Sequence, residues 1–421
     1  MTINNKFLIL PALLLLAGSA AAQQQLTLDW DAARRLAAER NPAVKAARAS
    51  MEQAGFSYKA ALNSYMPQVG LSHSVGWGGG PNGAQDTRWS AGVSASEDLL
   101  NLKTVSSVKT SRISKEKAEA DYLSASASAR QGLAGAFADL LFAQRRVEVQ
   151  KKILNIRVEN AKLIRLKYES GMESKGNALY TEALAENAGV SVKKAERQQV
   201  VAQRALLDAI GLEGAASVTA KGDIGVPSFE LDEARVARAL EKAPRIVSAK
   251  KTLEAAKERT ESSRYYAYPT LRASQGLNWS GDSEFPQYTG WSLGLSLNIP
   301  LFSGGPTYYF NSLAAAKKAQ AAAEENFRAE KISLGSALRS GYDDYLSAAE
   351  TALASGSLLK ANDERYKEAQ IKYMAGKISF IDLENVEQNF VDSDLNQLDY
   401  ARSAHSRKLA LEQLLGVGIE E

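Results

Sequence analysis

Sliding the chain along itself by about 202 residues brings matching residues into register, and this self-similarity constrains the fold more than any single motif. Pro42 falls on Pro244, Glu52 on Glu254, Pro67 on Pro269, Trp77 on Trp279 and Trp89 on Trp291. Beyond the second tryptophan, Ser90-x-Gly92-x-Ser94 meets Ser292-x-Gly294-x-Ser296. Further on the shift grows to about 205, so Tyr168-x-x-Gly171 meets Tyr373-x-x-Gly376 and Gly211 meets Gly416. The period is far longer than a solenoid repeat, which predicts a duplicated domain. Repeat 1 spans 23–211 and repeat 2 spans 233–416, with a linker over 212–232 and a short tail over 417–421.

Each copy reads in one order: helix, two strands, long helix, turn, return helix. Residues 32–65 and 233–266 are rich in helix-favouring Ala, Leu, Glu, Lys and Arg, and Pro67 and Pro269 stop them. The segments 104–168 and 307–373 contain no proline. A helix of about 65 residues is roughly 100 Å long, too long for the core of one globular domain. Apolar residues recur along the first at heptad-like intervals, through Leu133, Phe137, Leu140, Val147, Leu154 and Val158. A second line passes through Ile153, Ile156 and Leu163, and two apolar edges suit a helix held between two neighbours. Return helices are expected over 175–210 and 379–415.

The strands alternate with period two. In 67–77, Val69, Leu71, His73, Val75 and Trp77 share one face, and Gln68, Gly70, Ser72, Ser74 and Gly76 the other. In 89–99 the apolar set is Trp89, Ala91, Val93, Ala95 and Leu99, with Glu97 among them. The segments 269–279 and 291–301 repeat the pattern, the former with Gln275 on its apolar face. Segments of about ten residues, apolar on one side and polar on the other, are the signature of a membrane β-barrel. Trp77, Trp89, Trp279 and Trp291 sit at the edges of the polar loops, where an aromatic belt would lie. A water-soluble sandwich with one wet face is the alternative, but it leaves the long helices unexplained. Four strands cannot close a barrel, and open edges cannot face lipid. The chain is therefore expected to oligomerise through its strands, and a trimer would give twelve.

Composition removes other classes. Cysteine is absent, which excludes disulfides, thiolate metal sites and an acylated N-terminal cysteine. The two histidines, His73 and His405, are far apart, so no multi-histidine metal centre is expected. Lysine and arginine number 51 against 48 acidic residues, a balance that does not point to nucleic acid. Gly78-Gly79-Gly80 lacks the lysine of a phosphate loop, and no HExxH pair occurs. Asp343-Asp344 and Glu324-Glu325 are adjacent on helices and point apart. The chain is expected to be no enzyme and to need no cofactor. Residues 1–22, with Lys6, an apolar run from Phe7 to Leu16 and Ala20-Ala21-Ala22, read as a signal peptide cut before Gln23.

Several motifs resemble the TolC-like outer membrane efflux proteins, over about residues 24–417. Ile299-Pro300-Leu301-Phe302-Ser303-Gly304-Gly305 looks like that family's strand-to-helix junction, carried by Pro300, Phe302, Gly304 and Gly305. Leu28-Asp29 through Asn41-Pro42 resembles its opening helix. Tyr373-Met374-Ala375-Gly376-Lys377-Ile378-Ser379-Phe380-Ile381-Asp382 resembles the helix–turn–helix at its periplasmic tip. The resemblance implies a trimer, with a twelve-stranded barrel in the Gram-negative outer membrane and a long periplasmic α-helical tunnel. It implies a passive duct, fed by an inner-membrane transporter through a periplasmic adaptor. By the same resemblance, Gly171, Met172, Ser174, Gly376, Lys377 and Ser379 are adaptor-contact candidates at the tips. Family tunnels narrow at acidic rings; Asp382 matches the first acidic position, while Asn385 and Asn177 stand where further acids would add charge. The junction of the first copy, Asp98-Leu99-Leu100-Asn101-Leu102, departs from the family pattern. A non-conducting coiled-coil protein of the envelope is the second functional reading. The cargo (drug, metal ion or secreted protein) is not readable from a duct without a pocket.

Overall fold

The structure, a computed structural model, describes residues 26–79, 85–212, 217–282, 286–301 and 304–420. The expected signal peptide and two junction residues, Phe302 and Ser303, lie outside them. The first half runs β1 (Leu26–Leu28), α1 (Trp30–Arg40), α2 (Pro42–Leu62), β2 (Gln68–Gly79), β3 (Gln85–Leu100), α3 (Leu102–Glu169) and α4 (Lys175–Ile210). The second runs β4 (Val218–Ala220), α5 (Glu233–Lys242), α6 (Pro244–Arg264), β5 (Thr270–Gly281), β6 (Tyr288–Asn298), α7 (Tyr308–Met374) and α8 (Phe380–Leu415). Counterparts are close in length: 21 residues for α2 and α6, 68 and 67 for α3 and α7, and 36 for α4 and α8.

The opening helix of each half is two helices, not the single one expected over 32–65 and 233–266. Proline excludes the residue before it from the α region, and Asn41 and Ala243 are accordingly extended, with ψ of 122° and 136°. Proline then occupies the first turn, where its missing N–H costs nothing. Asn41 Oδ1 caps α2 by accepting from Ala43 N at 2.8 Å and Val44 N at 3.2 Å. The glycine ending each return helix packs on this break. Gly211 has φ of 83°, and a Cβ there would lie 2.7 Å from Arg40 O; a Cβ on Gly416, with φ of 80°, would collide with Pro244 Cδ. The repeated prolines and glycines are thus spatial partners, which sequence spacing of about 170 residues conceals.

The linker expected over 212–232 contains a strand. β1 and β4 pair in parallel, Leu26 with Val218 and Leu28 with Ala220. So short a pair is marginal alone. Here it is sealed by side chains: Gln144 Nε2 donates to Ala220 O at 3.0 Å, its Oε1 accepts from Ala220 N at 2.9 Å, and Gln203 Nε2 donates to Val218 O at 2.9 Å. Leu28, Val218 and Ala220 join Ala33 and Ala37 of α1, Leu133, Phe137 and Leu140 of α3, and Leu206 and Ile210 of α4 in one core. The expected C-terminal tail is docked on that core. Ile419 is fully buried, its N–H donates to Ser126 Oγ at 2.9 Å, and Glu420 pairs with Arg48 at 3.0 Å.

The long helices form two hairpins, α3 with α4 and α7 with α8, and α3 packs on α8 between them. Arg146 to Asp399 at 3.1 Å and Arg402 to Asp139 at 2.7 Å bridge the α3–α8 seam. The heptad line expected on α3 holds through Val147 but not at Leu154 and Val158, which are only half-buried. The buried line continues instead through Ile153, Arg157, Asn160 and Ile164. A helix of 3.6 residues per turn drifts off a strict seven-residue repeat, so the seam moves round the surface.

The strands form one antiparallel sheet in the order β2-β3-β5-β6. Its register stacks like faces: Leu71, Val93, Leu277 and Trp291 share a row, as do Val69, Ala95, Gln275 and Leu293. The next row on the other side reads Ser72, Gly92, Asn278 and Gly290. A register shift between Asp98 and Leu100 puts Leu100, not the expected Leu99, opposite Leu271. The unpaired residue is a β-bulge at the strand end.

Candidate functional site

Both hairpin tips are built by the same backbone chemistry. α3 is followed by the C-cap Ser170; Gly171 N donates to Tyr168 O at 2.9 Å and Met172 N to Lys167 O at 2.8 Å. α7 is followed by the C-cap Ala375, with Gly376 N donating to Tyr373 O at 3.1 Å and Lys377 N to Lys372 O at 2.8 Å. These are Schellman closures, which need a left-handed residue; Gly171 and Gly376 have φ of 76° and 69°. Ser174 and Ser379 then cap the return helices, accepting from Asn177 N at 3.1 Å and Asp382 N at 3.2 Å. The six tip residues Gly171, Met172, Ser174, Gly376, Lys377 and Ser379 are all exposed. The two tips are tied together. Tyr373 OH donates to Glu173 Oε2 at 2.7 Å, and Lys167 Nζ donates to Tyr373 O at 2.9 Å.

Of the three candidates for a periplasmic gate at the acidic-ring positions, Asp382 and Asn385 are exposed on α8 and Asn177 is half-buried. Asp382 completes a capping box: its Oδ2 accepts from Ser379 N at 3.0 Å and from Ser379 Oγ at 2.6 Å. Those bonds hold its pKa below the ordinary carboxylate value. Asn177 Nδ2 donates to Glu173 Oε1 at 2.8 Å. Burial opposes ionisation of Glu173, but hydrogen bonds from Tyr373, the Ser174 amide and Asn177 outweigh it and lower its pKa. Glu173 is therefore an acid at the tip that the alignment of the two copies did not reveal, because its counterpart, Ile378, is apolar.

Above the tips lies a buried polar cluster that sequence reading missed. Arg157 Nε meets Glu387 Oε1 at 2.9 Å, and the two side chains are 8% and 4% exposed. Arg157 Nη2 donates to Gln388 Oε1 at 2.8 Å, and Asn160 Nδ2 donates to Glu387 Oε2 and, at 3.2 Å, to Tyr366 OH. Gln370 Nε2 donates to the same hydroxyl at 2.6 Å. Burial raises the pKa of Glu387, and Arg157 and Asn160 only partly oppose it. The signal was present: Arg157 and Asn160 fall between Ile153 and Ile164, and Glu387 between Leu383 and Phe390, at core spacing.

At the sheet, Trp77, Trp89, Trp279 and Trp291 all lie on the apolar face, one per strand. Trp291 is 80% exposed and Leu71 81%, so the apolar face is uncovered in the single chain. His73 shares a row with Ala91 and Trp279, and its ring lies 6.0 Å from that of Trp89. It therefore lies at mid-strand in β2 yet beside the tryptophans of the neighbouring strands. The junctions differ between halves. After Pro300, Gly304 and Gly305 take φ of 93° and 103°; a Cβ on Gly304 would crowd Tyr308 and Tyr266 at 3.0 and 3.1 Å. The first half turns on Asn101 alone, whose Oδ1 accepts from Lys103 N and Thr104 N at 3.1 and 3.3 Å.

No helix among the described residues is long and apolar enough to cross a membrane, and no group of acidic or histidine side chains there could hold a metal ion. Known structures share the fold. The chain superimposes on CusC, whose structures concern folding and transmembrane channel formation, with a TM-score of 0.83, 16% identity and 92% of each chain covered. The Neisseria gonorrhoeae MtrE outer membrane channel gives 0.82 at 18% identity, covering 92% of this chain and 88% of that one. The outer-membrane channel OprN gives 0.81 at 19% identity, covering 93% and 90%. No curated protein matches the sequence significantly. A family model described as outer membrane efflux protein matches residues 33–212 and 236–417, nearly all of both halves, and the chain belongs to that family of outer membrane efflux channels.

Proposed function

We propose that three copies of this chain, each an internal two-fold repeat, close into a twelve-stranded barrel that continues into a periplasmic α-helical tube. The assembly is the exit duct of a tripartite efflux or type I secretion system. It receives cargo from an inner-membrane transporter through a periplasmic adaptor and conducts it passively to the exterior. The observation that carries this reading is the sheet β2-β3-β5-β6. The outer edges of β2 and β6 have no strand partner among the described residues, the apolar face is open, and four strands are too few to close. In lipid every backbone polar group must be paired, so the edges must meet those of other copies. The outer helices α4 and α7 carry exposed apolar residues such as Val201 and Leu353, which a neighbouring copy would cover.

In this arrangement the polar sheet face lines the lumen and the tryptophans mark the membrane boundary near the loops. The hairpin tips meet the adaptor, and three Asp382 carboxylates converge at the narrow end. The signal peptide is removed on export, and without cysteine the protein inserts unlipidated. Purified protein reconstituted in planar bilayers should give stepwise conductance. Protein that inserts but never conducts would favour the structural envelope reading.

A further inference from the structure

On the polar face of the sheet, among residues whose side chains are described, charge occurs at only two levels. Near the loops, Arg88 Nε lies 3.6 Å from Asp282 Oδ1. At the helical end, Arg272 Nε donates to Asp98 Oδ1 at 2.7 Å. Both pairs cross from β3 to β5 or the residue just after it, where the two halves meet within the sheet, and Asp98 and Arg272 are direct partners in register. Between them this face of both strands is serine, glycine and one asparagine.

The two levels are not equivalent. In the upper pair both side chains are open to water, 74% and 60% exposed. In the lower pair Asp98 is 19% exposed and Arg272 58%. Asp98 is spent on both sides: its second oxygen accepts from Asn101 Nδ2 at 2.9 Å, and Asn101 is the cap of α3. Arg272 bonds through Nε, at the stem of its fork, while most of the side chain is open to water. The carboxylate is set into the wall and the guanidinium stands forward of it.

We propose that Arg272 is a charge-selectivity residue of the duct, favouring small molecules that bear carboxylate, sulfate or phosphate groups where the barrel meets the helical tube. The inference rests on the channel reading above. Twelve strands spaced about 4.8 Å apart and tilted by about 40° give a circumference of roughly 75 Å and a radius near 12 Å. The Debye length is about 10 Å at 0.1 M salt and about 30 Å at 0.01 M. Three guanidinium groups projecting from such a wall therefore act on the whole cross-section. The serine and glycine wall above them offers no competing charge. Guanidinium also binds carboxylate and phosphate oxygens through two parallel donors, so it recognises these groups beyond simple attraction.

The test is the reversal potential of the full-length channel in planar bilayers under a potassium chloride gradient at low salt. Arg272→Gln leaves Asp98 unpaired and should move the reversal potential toward cation preference. Arg272→Lys should keep the wild-type sign, and Asp98→Asn should move it toward anions. Arg88→Gln, in the open and balanced pair, should shift it less. A conducting Arg272→Gln channel with an unchanged reversal potential overturns this inference and leaves the channel reading standing. If Arg272→Gln does not assemble, Asp98→Asn decides by the same measure. A wild-type protein that never conducts overturns both.

Discussion

Replacing Arg157 by methionine leaves the Glu387 carboxylate buried without its counter-ion. The pair is 2.9 Å apart and nearly sealed from water, so solvent screening offers little relief. Removing one partner of a buried pair typically costs about 3–5 kcal/mol. At about 1.4 kcal/mol per decade, hydrogen-exchange protection of α3 and α8 around the cluster should fall by about two to three and a half decades. The loss should depend on pH. Glu387 already has a raised pKa, so the folded state holds its proton more tightly than the unfolded chain. Such a group stabilises the fold below its unfolded pKa, and that contribution is lost as pH rises through the folded value. Without Arg157 the folded value rises further, so the penalty should be smaller at about pH 5 than at about pH 8. Arg157→Met/Glu387→Leu should recover most of the loss, because no charge remains buried. Equal penalties at both pH values, or a double variant as damaged as the sum of the singles, would refute the reasoning.

Leu295 lies on the apolar face opposite Ala273, and Leu295→Arg should cost about 2–4 kcal/mol in membrane-inserted stability; Ser296→Arg, one residue along, should be milder, and equal tolerance in urea titrations would overturn the face assignment. Gly376→Ala forces a side chain into a left-handed turn and should cost about 1–2 kcal/mol, whereas Gly356→Ala, with open space in mid-helix, should stabilise by about 0.5–1 kcal/mol in thermal melts. Asp382→Asn retains an oxygen to accept from the Ser379 amide, so trimers should persist while cation preference and divalent block in bilayers weaken. Lost trimers with unchanged selectivity would assign Asp382 to the cap alone.

The sheet was legible because its signal has period two and no competing reading survives a one-residue slip. Trp77, Trp89, Trp279 and Trp291 fall on the apolar side by counting alone. The bulge that exchanges Leu99 for Leu100 left no mark, since a leucine stands at both places. The long helices were legible from absent proline, but not their seams. Arg157, Asn160 and Glu387 occupy core spacing with polar side chains, so a reading of apolar periodicity passed over them. β1 and β4 are three residues each, too short for alternation to show, and the pair is held by Gln144 of α3 and Gln203 of α4 bonding the β4 backbone. The tip acid Glu173 depends on Tyr373, 200 residues away, and no local pattern encodes that contact.

Closure of the sheet across chains is the claim on which the rest depends, and native mass measurement of the protein in detergent tests it most directly. Three copies per particle, twelve strands in all, is the result expected from four strands with two open edges. A stable monomer in the membrane, its barrel closed by one chain, would contradict it.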